Sequence, residues 1–241
     1  MPHLEPWQWL LGIFSAFMIG VAKTGAPGVG TMIAPLMVLT VGDARLAAAW
    51  TLPILSVADV FAVVYWRRHT EARQLLSLIP WVLVGIAGGA VALSLNEQII
   101  RRIIGVIIVG MLLVHLWRRF RPTGQVEGKP ALYGICAGFA STLATASGPV
   151  MNLYLLTKKL PKEKFVATGA WFFFAVNLLK SPVYAYYHLY SPASLLFDLL
   201  MVPPVVAGAL AGRWLIRHMA QQMFEVLVIA LTAISCLFLF L

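Results

Sequence analysis

Three charged residues, Lys23, Asp59 and Lys180, are the ionisable residues furthest from any loop, at the end of or inside long apolar stretches of the chain. If these stretches cross a bilayer, a charge near its centre costs at least about 2.5–3.5 kcal/mol and normally faces a cavity or a partner. Two interpretations stay open. Asp59 pairs with a lysine to neutralise the interior, or the three residues coordinate an anion and a proton. Because two lysines outnumber one carboxylate, the set favours an anionic ligand, with Asp59 as the candidate for proton coupling.

Two short segments rich in Gly, Pro, Ser and Thr interrupt the apolar sequence, one at 22–30 and one at 140–149. Such segments cannot continue a regular helix cheaply, and in a bilayer their freed backbone groups must be buried in protein or line a cavity. A helix that restarts after Gly28 or Gly148 presents free N–H groups to an anion. Hydroxyl groups there either bind the ligand or bond to their own helix.

The candidate anion-binding residues come from these two breaks and from the buried polar residues downstream of the second. Asn177 precedes Lys180 by three residues, so both lie on about the same face of one helix. The complete candidate set is Lys23, Thr24, Gly25, Pro27, Gly28, Gly30, Thr142, Thr145, Ser147, Gly148, Pro149, Asn177 and Lys180.

Composition identifies an integral membrane protein. Of 241 residues, 61% are hydrophobic and 11% are charged, whereas soluble domains carry about 25% charged residues. At about 20 residues per span, this length allows roughly eight to ten crossings, and the apolar run that begins at Trp7 is expected to be the first. The net charge of +9 is expected to lie in short loops and not to bind nucleic acid. No His or Cys spacing suits a metal, so neither metal nor cofactor is expected.

Ten apolar segments are predicted to be helical, which gives an all-α membrane fold. They cover approximately 7–22, 29–41, 46–66, 75–95, 103–117, 131–143, 149–157, 165–187, 195–216 and 224–241. The first, second, sixth and seventh segments are short for independent spans. We therefore expect two hairpins of broken or re-entrant helices, one opening each half of the chain.

The two halves match each other at recurring positions. Gly20, Gly30 and Asp59 correspond to Gly138, Gly148 and Asn177 at an offset of 118 residues, and Pro80, Gly85 and Gly89 correspond to Pro203, Gly208 and Gly212 at an offset of 123. Matched interruptions of this kind indicate a duplicated five-element unit. The predicted organisation is a first transmembrane repeat over 1–121, a linker over 122–130 and a second repeat over 131–241.

An odd number of elements per repeat predicts that the repeats are inverted in the membrane, and the basic residues agree with this. With the N-terminus outside, the inward loops are 67–74, 118–130, 158–164 and 213–221, and they hold 13 of the 18 Lys and Arg residues. The outward loops hold Arg45, Arg101 and Arg102. This asymmetry follows the positive-inside rule, so both termini are predicted to lie outside.

Around the breaks the sequence resembles the TauE/SafE-type sulfite exporter family of sulfur-anion permeases. Gly20–Pro35 is similar to the family's first Gly-rich motif, Gly138–Leu156 to its second, and Thr168–Pro182 to the stretch that follows. Many members have a denser glycine run in the first motif, where this sequence has Lys23 and Pro27. In this respect the sequence resembles the lysine-containing branch of the family. The resemblance implies a bacterial inner-membrane exporter of sulfite, sulfoacetate or a related organosulfonate, coupled to protons, with the bilayer and a small anion as its partners.

Four other functions compete with an exporter, and one of them, a non-transporting scaffold, would not require two costly breaks and interior charges. An anion channel and an uptake permease for small carboxylates or sulfonates would use the same site between the breaks. An intramembrane enzyme would need a nucleophile with its base, or a metal set, and the sequence offers neither, so we expect a transporter that alternates access around a mid-membrane anion site.

Overall fold

The computed structural model describes residues 4–92, 97–120, 129–144, 147–186 and 188–238, and every regular element in these ranges is helical. An all-α fold is therefore confirmed. The helices are α1 (Pro6–Thr24), α2 (Ile33–Val41), α3 (Ala44–Trp66), α4 (Ala72–Ala92), α5 (Glu97–Phe120), α6 (Pro130–Ala144), α7 (Ser147–Thr157), α8 (Lys162–Tyr186), α9 (Pro192–Leu200), α10 (Val202–His218) and α11 (Gln221–Phe238).

Local sequence signals fix several helix ends. Gly42 ends α2 with a φ of +85°. This left-handed backbone conformation carries no steric penalty for glycine. The next residue, Asp43, caps α3, because its side chain accepts a hydrogen bond from the Leu46 N–H at 2.8 Å. Ser191 caps α9 in the same way, accepting from the Ser194 N–H at 3.0 Å. These caps make the turns between consecutive helices short.

The ninth apolar segment is two helices rather than the single one that the sequence predicts. α9 ends at Leu200 and α10 begins at Val202, with a bend of about 40° between them. Pro203 and Pro204 follow directly. Proline has no backbone N–H and is favoured in the first turn of a helix, so this pair supports a new start rather than a continuation of α9.

Several helices have the length and apolar character of membrane spans. Among the described residues these are Leu46–His69, Ala72–Gly89 and Lys162–Tyr186, and the bent pair α9–α10 makes a fourth if it is counted as one span. At 1.5 Å per residue, α2 is about 14 Å long and α7 about 17 Å, well below the 30 Å hydrocarbon core. The second arm of each predicted hairpin is thus too short to cross alone.

The chain forms two compact units, and each takes helices from both halves of the sequence. The first unit comprises Met1–Thr70 and Lys162–Ala220, and the second comprises Glu71–Pro161 and Gln221–Leu241. In the first unit α1 packs along α10, and α3 packs against α8. Its core includes Phe197, whose ring lies 5.5 Å from that of Trp9 and 5.2 Å from that of Trp50.

In the second unit, α4 packs along α6, while α7 contacts α5, α6 and α11. α7 is buried over Pro149–Leu156, as expected for a short apolar helix in a protein interior. Its Tyr154 hydroxyl donates to Gln74 Oε1 at 2.9 Å. This bond satisfies the only polar atom of a large buried side chain.

The α1–α10 and α4–α6 crossings use the same close backbone approach. A Cβ atom on Gly20 of α1 would clash with the carbonyl oxygen of Val205 in α10, and a Cβ on Gly138 of α6 would clash with that of Val82 in α4. Gly138 lies 118 residues after Gly20, and Val82 lies 123 residues before Val205. The two crossings therefore join residues that correspond under the two sequence offsets.

The reverse contacts match as well. A Cβ on Gly208 of α10 would clash with the carbonyl oxygen of Phe17, and one on Gly85 of α4 would clash with that of Ile135. These residues correspond under the same two offsets. Both crossings thus depend on glycine at both helices, where any side chain would force the backbones apart.

Candidate anion site

Three of the predicted site residues meet inside the first unit. The Lys23 ammonium lies 2.7 Å from Asp59 Oδ1, and Asn177 Nδ2 donates to Asp59 Oδ2 at 2.7 Å. Asp59 is fully buried, while the Lys23 side chain is 12% exposed. The Phe173 ring lies 4.4 Å from the Lys23 Nζ, at the distance of a cation–π contact.

Each residue of this cluster comes from a different helix. Lys23 stands in the last turn of α1, Asp59 in α3, and Asn177 in α8 one turn after Phe173. The α3–α8 packing brings Asp59 to Asn177, and the contact of α1 with α3 brings the lysine to the carboxylate. The cluster therefore depends on the tertiary packing of three helices.

The electrostatics agree with the first interpretation of the sequence, in which Asp59 neutralises a lysine. The Lys23 ammonium forms an ion pair with one oxygen of the carboxylate and Asn177 donates to the other, so the ion pair adds no net charge. A buried ion pair of this kind is costly to break, because the remaining partner is left uncompensated. The predicted excess of positive charge rests on Lys180, whose backbone lies in α8 but whose side chain is not among those that the structure describes.

The first break is a tight turn between α1 and α2. The N–H groups of Gly25 and Ala26 both donate to the Val21 carbonyl oxygen, and Pro27 follows, which cannot donate. Gly28 adopts φ +111°, a value that favours glycine. α2 does not restart directly after Gly28, because a 3₁₀ turn over Val29–Met32, which includes Gly30, intervenes.

Thr24 and Gly25 contact α10 rather than an open space. The Thr24 hydroxyl lies 2.7 Å from the Ala209 carbonyl oxygen and 3.0 Å from that of Gly20, and it donates to these two acceptors. A Cβ on Gly25 would clash with the backbone of Gly212. The hydrogen bond to Gly20 lies within α1, which is one of the two roles that the sequence allows for this hydroxyl. The hydrogen bond to Ala209 joins α1 to α10.

This break lies beside the C-terminal ends of α3 and α10, where two arginines of α10 contact a tyrosine of α3. Trp66, the last residue of α3, donates from Nε1 to the Thr24 carbonyl oxygen at 3.3 Å. At the same end the Arg213 guanidinium lies 3.9 Å from the Tyr65 ring, and Arg217 Nη2 donates to the Tyr65 hydroxyl at 2.6 Å. Two guanidinium groups on one tyrosine give this end of the unit a concentrated positive charge.

The candidates of the second break belong to the second unit. α7 begins at Ser147, so Gly148 lies within its first turn rather than before it. Ser147 and Pro149 are buried, and open space surrounds the position that a Cβ on Gly148 would occupy. Thr145 lies outside the described residues, and the Thr142 side chain is likewise not described.

Among the described side chains, one further buried acidic residue is not a candidate predicted from the sequence. Asp198 lies in α9 and is 8% exposed. Within the described part of the chain, neither of its carboxylate oxygens has a hydrogen-bond partner. A single acid inside the apolar run 195–201 is the signal that identifies it in the sequence.

Apolar helices of spanning length and a charged pair buried among them define an all-helical, multi-pass membrane protein. The family model described as Sulfite exporter TauE/SafE matches residues 11–239, which is nearly the whole chain. The chain therefore belongs to the TauE/SafE family of sulfite exporters. No curated protein and no solved structure gives a match.

Proposed function

We propose that this protein is a secondary transporter that exports small sulfur-containing anions, such as sulfite, sulfoacetate or another organosulfonate, across a bacterial inner membrane. The observation that carries the proposal is the Lys23–Asp59–Asn177 cluster. A lysine that is partly accessible and held by a carboxylate can exchange that carboxylate for a substrate anion. Membership of the TauE/SafE family supports a sulfur anion as the cargo.

In this proposal the substrate takes the place of Asp59 at the Lys23 ammonium. Asp59 then keeps the hydrogen bond from Asn177, so it is not left without a donor. The Phe173 ring holds the ammonium in position while the partner changes. Because the substrate and Asp59 compete for one cation, the empty site stays neutral, which lowers the cost of its burial.

The arginine pair at the end of α10 supports an approach path from that side. Arg213 and Arg217 contact Tyr65. The next residue, Trp66, donates from its indole to Thr24 at the first break. Clustered positive charge raises the local concentration of anions and their rate of arrival. By the positive-inside rule this end faces the cytoplasm and both termini face outside, so the anions collected there are those to be exported.

The matched helix crossings support the proposed internal repeat, and the distribution of basic residues supports its inverted topology. The α1–α10 contact between Gly20 and Val205 corresponds to the α4–α6 contact between Gly138 and Val82, because Gly20 matches Gly138 at an offset of 118 residues and Val82 matches Val205 at an offset of 123. Broken helices at corresponding positions of two repeats are a common way to build a substrate site. Lys180 lies on the same helix as Asn177, and we propose that it adds its charge to the anion site of the first unit, while Thr142, Thr145, Ser147, Gly148 and Pro149 at the second break stay predictions from the sequence.

The proposal is tested by transport in proteoliposomes that contain the full chain. Lys23→Ala and Lys180→Ala are each compared with the wild type for flux of sulfite and of a panel of sulfonates and carboxylates. We expect Lys23→Ala to lose at least tenfold in flux and in binding, and Lys180→Ala to lose less. Unchanged binding and flux in both variants would reject the proposed anion site.

A carrier and a channel differ in one further measurement. A carrier coupled to a gradient accumulates anion above its equilibrium level when a pH gradient is imposed, whereas a channel only dissipates gradients. We expect accumulation, and counterflow of labelled anion driven by unlabelled anion. Flux without counterflow would indicate the channel instead.

A further inference from the structure

Asp198 is a second buried carboxyl group in the first unit, and it differs from Asp59 in its partners. Asp59 receives Lys23 on one oxygen and Asn177 on the other. Asp198 receives no donor on either oxygen, although it is more than nine-tenths buried. In the part of the chain whose side chains are described, these two are the buried acidic residues.

Among the residues whose side chains the structure describes, none acts as a counter-ion to Asp198. α9 packs against α3 and α10, whose described titratable residues engage other groups. Asp59 pairs with Lys23, Arg213 and Arg217 lie on Tyr65, and His218 bonds to the Trp214 carbonyl oxygen. Two tyrosines precede α9, Tyr184 and Tyr190, and their rings lie 6.4 Å apart. Neither tyrosine forms a hydrogen bond with Asp198.

The position of Asp198 in its helix adds a second cost to a negative charge. It stands in the last turn of α9, where the helix dipole presents its negative end. The Met201 N–H donates to the carbonyl oxygens of Phe197 and Asp198, and the chain then bends into α10. An unpaired carboxylate anion buried at such a helix end is strongly disfavoured relative to the neutral acid.

We propose that Asp198 is a proton-binding site at the bend between α9 and α10, and that transport is coupled to the proton gradient there. This inference rests on the transport function proposed above. In the state described, the carboxyl group holds its proton, and a change in the bend that admits water lets the proton leave to that water. The proton is later replaced from water on the other side, so no other reactant is needed. Asp59 then serves as the internal counter-ion of Lys23.

The first test reads protonation directly and does not depend on transport. Infrared spectra of the purified full chain are compared between the wild type and Asp198→Asn near pH 7. We expect the C=O stretch of a buried protonated carboxyl group in the wild type and its loss in Asp198→Asn. Asp59→Asn is the matched control and is expected to keep the band, because the Lys23 ammonium 2.7 Å away favours the carboxylate form of Asp59. A band that persists in Asp198→Asn would overturn the proposal.

The second test measures coupling in proteoliposomes. Asp198→Asn mimics the neutral acid, and we expect it to keep anion counterflow within about twofold of the wild type while it loses accumulation driven by a pH gradient. Asp198→Glu retains an acid and restores that accumulation at least in part. Accumulation by Asp198→Asn equal to that of the wild type would overturn the inference. So would equal loss of counterflow and accumulation in Asp198→Asn without rescue by Asp198→Glu.

The two proposals fail in different ways. If the wild type shows neither counterflow nor binding for any anion in the panel, the proposed transport function fails, whatever the infrared band shows. If the wild type transports anions but the infrared band and the coupling do not depend on Asp198, only the assignment of the proton site fails.

Discussion

Asn177 donates to Asp59 across 2.7 Å, and the two residues stand 118 positions apart in the chain. The same offset relates Gly20 to Gly138 and Gly30 to Gly148. Equivalent residues of two repeats touch each other only where both repeats approach the axis that relates them. If the proposed repeat holds, Asp59 and Asn177 are equivalent residues in contact, and the axis of the repeat is predicted to pass between α3 and α8.

The hydrogen bond between Asn177 and Asp59 is expected to stabilise the first unit. Asn177→Ala leaves Asp59 Oδ2 without its donor in a buried position, which costs about 1–3 kcal/mol. Thermal unfolding in detergent measures this loss. In a double-mutant cycle with Asp59→Asn, we expect a coupling energy of at least 0.5 kcal/mol, and strictly additive effects would contradict the bond.

The glycine crossings predict equal sensitivity in the two units. Gly20→Ala and Gly138→Ala each place a methyl group against a carbonyl oxygen of the neighbouring helix, and we expect each to destabilise the protein by about 1–3 kcal/mol. Gly88→Ala in α4 is the matched control, because open space surrounds that position, and alanine favours a helix by about 0.5–1 kcal/mol over glycine. Stability of Gly20→Ala or Gly138→Ala equal to that of Gly88→Ala would refute the close crossings.

Thr24 is expected to act in helix packing and not in anion binding in the described state. Thr24→Val removes the hydroxyl that lies between the Gly20 and Ala209 carbonyl oxygens, and the loss of stability is expected to be about 1 kcal/mol. Thr24→Ser keeps the donor and restores most of that stability. Isothermal titration with sulfite or a sulfonate measures the anion affinity. A tenfold weaker affinity in Thr24→Val than in Thr24→Ser would show instead that the hydroxyl binds the ligand.

The charge distribution predicts the topology, and single cysteines test it. In a background without Cys136 and Cys236, we expect Tyr186→Cys at the end of α8 to react with an impermeant maleimide on intact spheroplasts. Arg68→Cys is expected to react only after permeabilisation. Both side chains are exposed, so accessibility to the reagent depends on the membrane. The opposite pattern would invert the proposed orientation.

The sequence predicts the helical class, the breaks and the residues of the charged cluster for identifiable reasons. Apolar runs, helix-breaking residues and the cost of buried charge are all local properties of the chain. Lys23, Asp59 and Asn177 can be selected because each is polar inside an apolar stretch. Their contact also agrees with the interpretation that Asp59 neutralises a lysine.

Contacts between helices account for what the sequence does not predict. Thr24 and Gly25 have the composition of a ligand-binding loop, yet they pack on α10, a helix about 185 residues away along the chain. Likewise, the apolar run 195–216 gives no sign of where it divides until its caps and its proline pair are considered together. Asp198 is surrounded in sequence by leucine and phenylalanine, and only the packing of α9 shows that no donor reaches it.

Competition between a substrate anion and Asp59 for Lys23 is tested by isothermal titration of the purified full chain with sulfite or a sulfonate, in which Asp59→Asn and Lys23→Gln are compared with the wild type. If the anion competes with Asp59 for Lys23, removing the carboxylate charge frees the cation, so Asp59→Asn is expected to bind about tenfold more tightly. Lys23→Gln is expected to lose binding. Weaker binding by Asp59→Asn than by the wild type, or wild-type affinity in Lys23→Gln, would contradict the account.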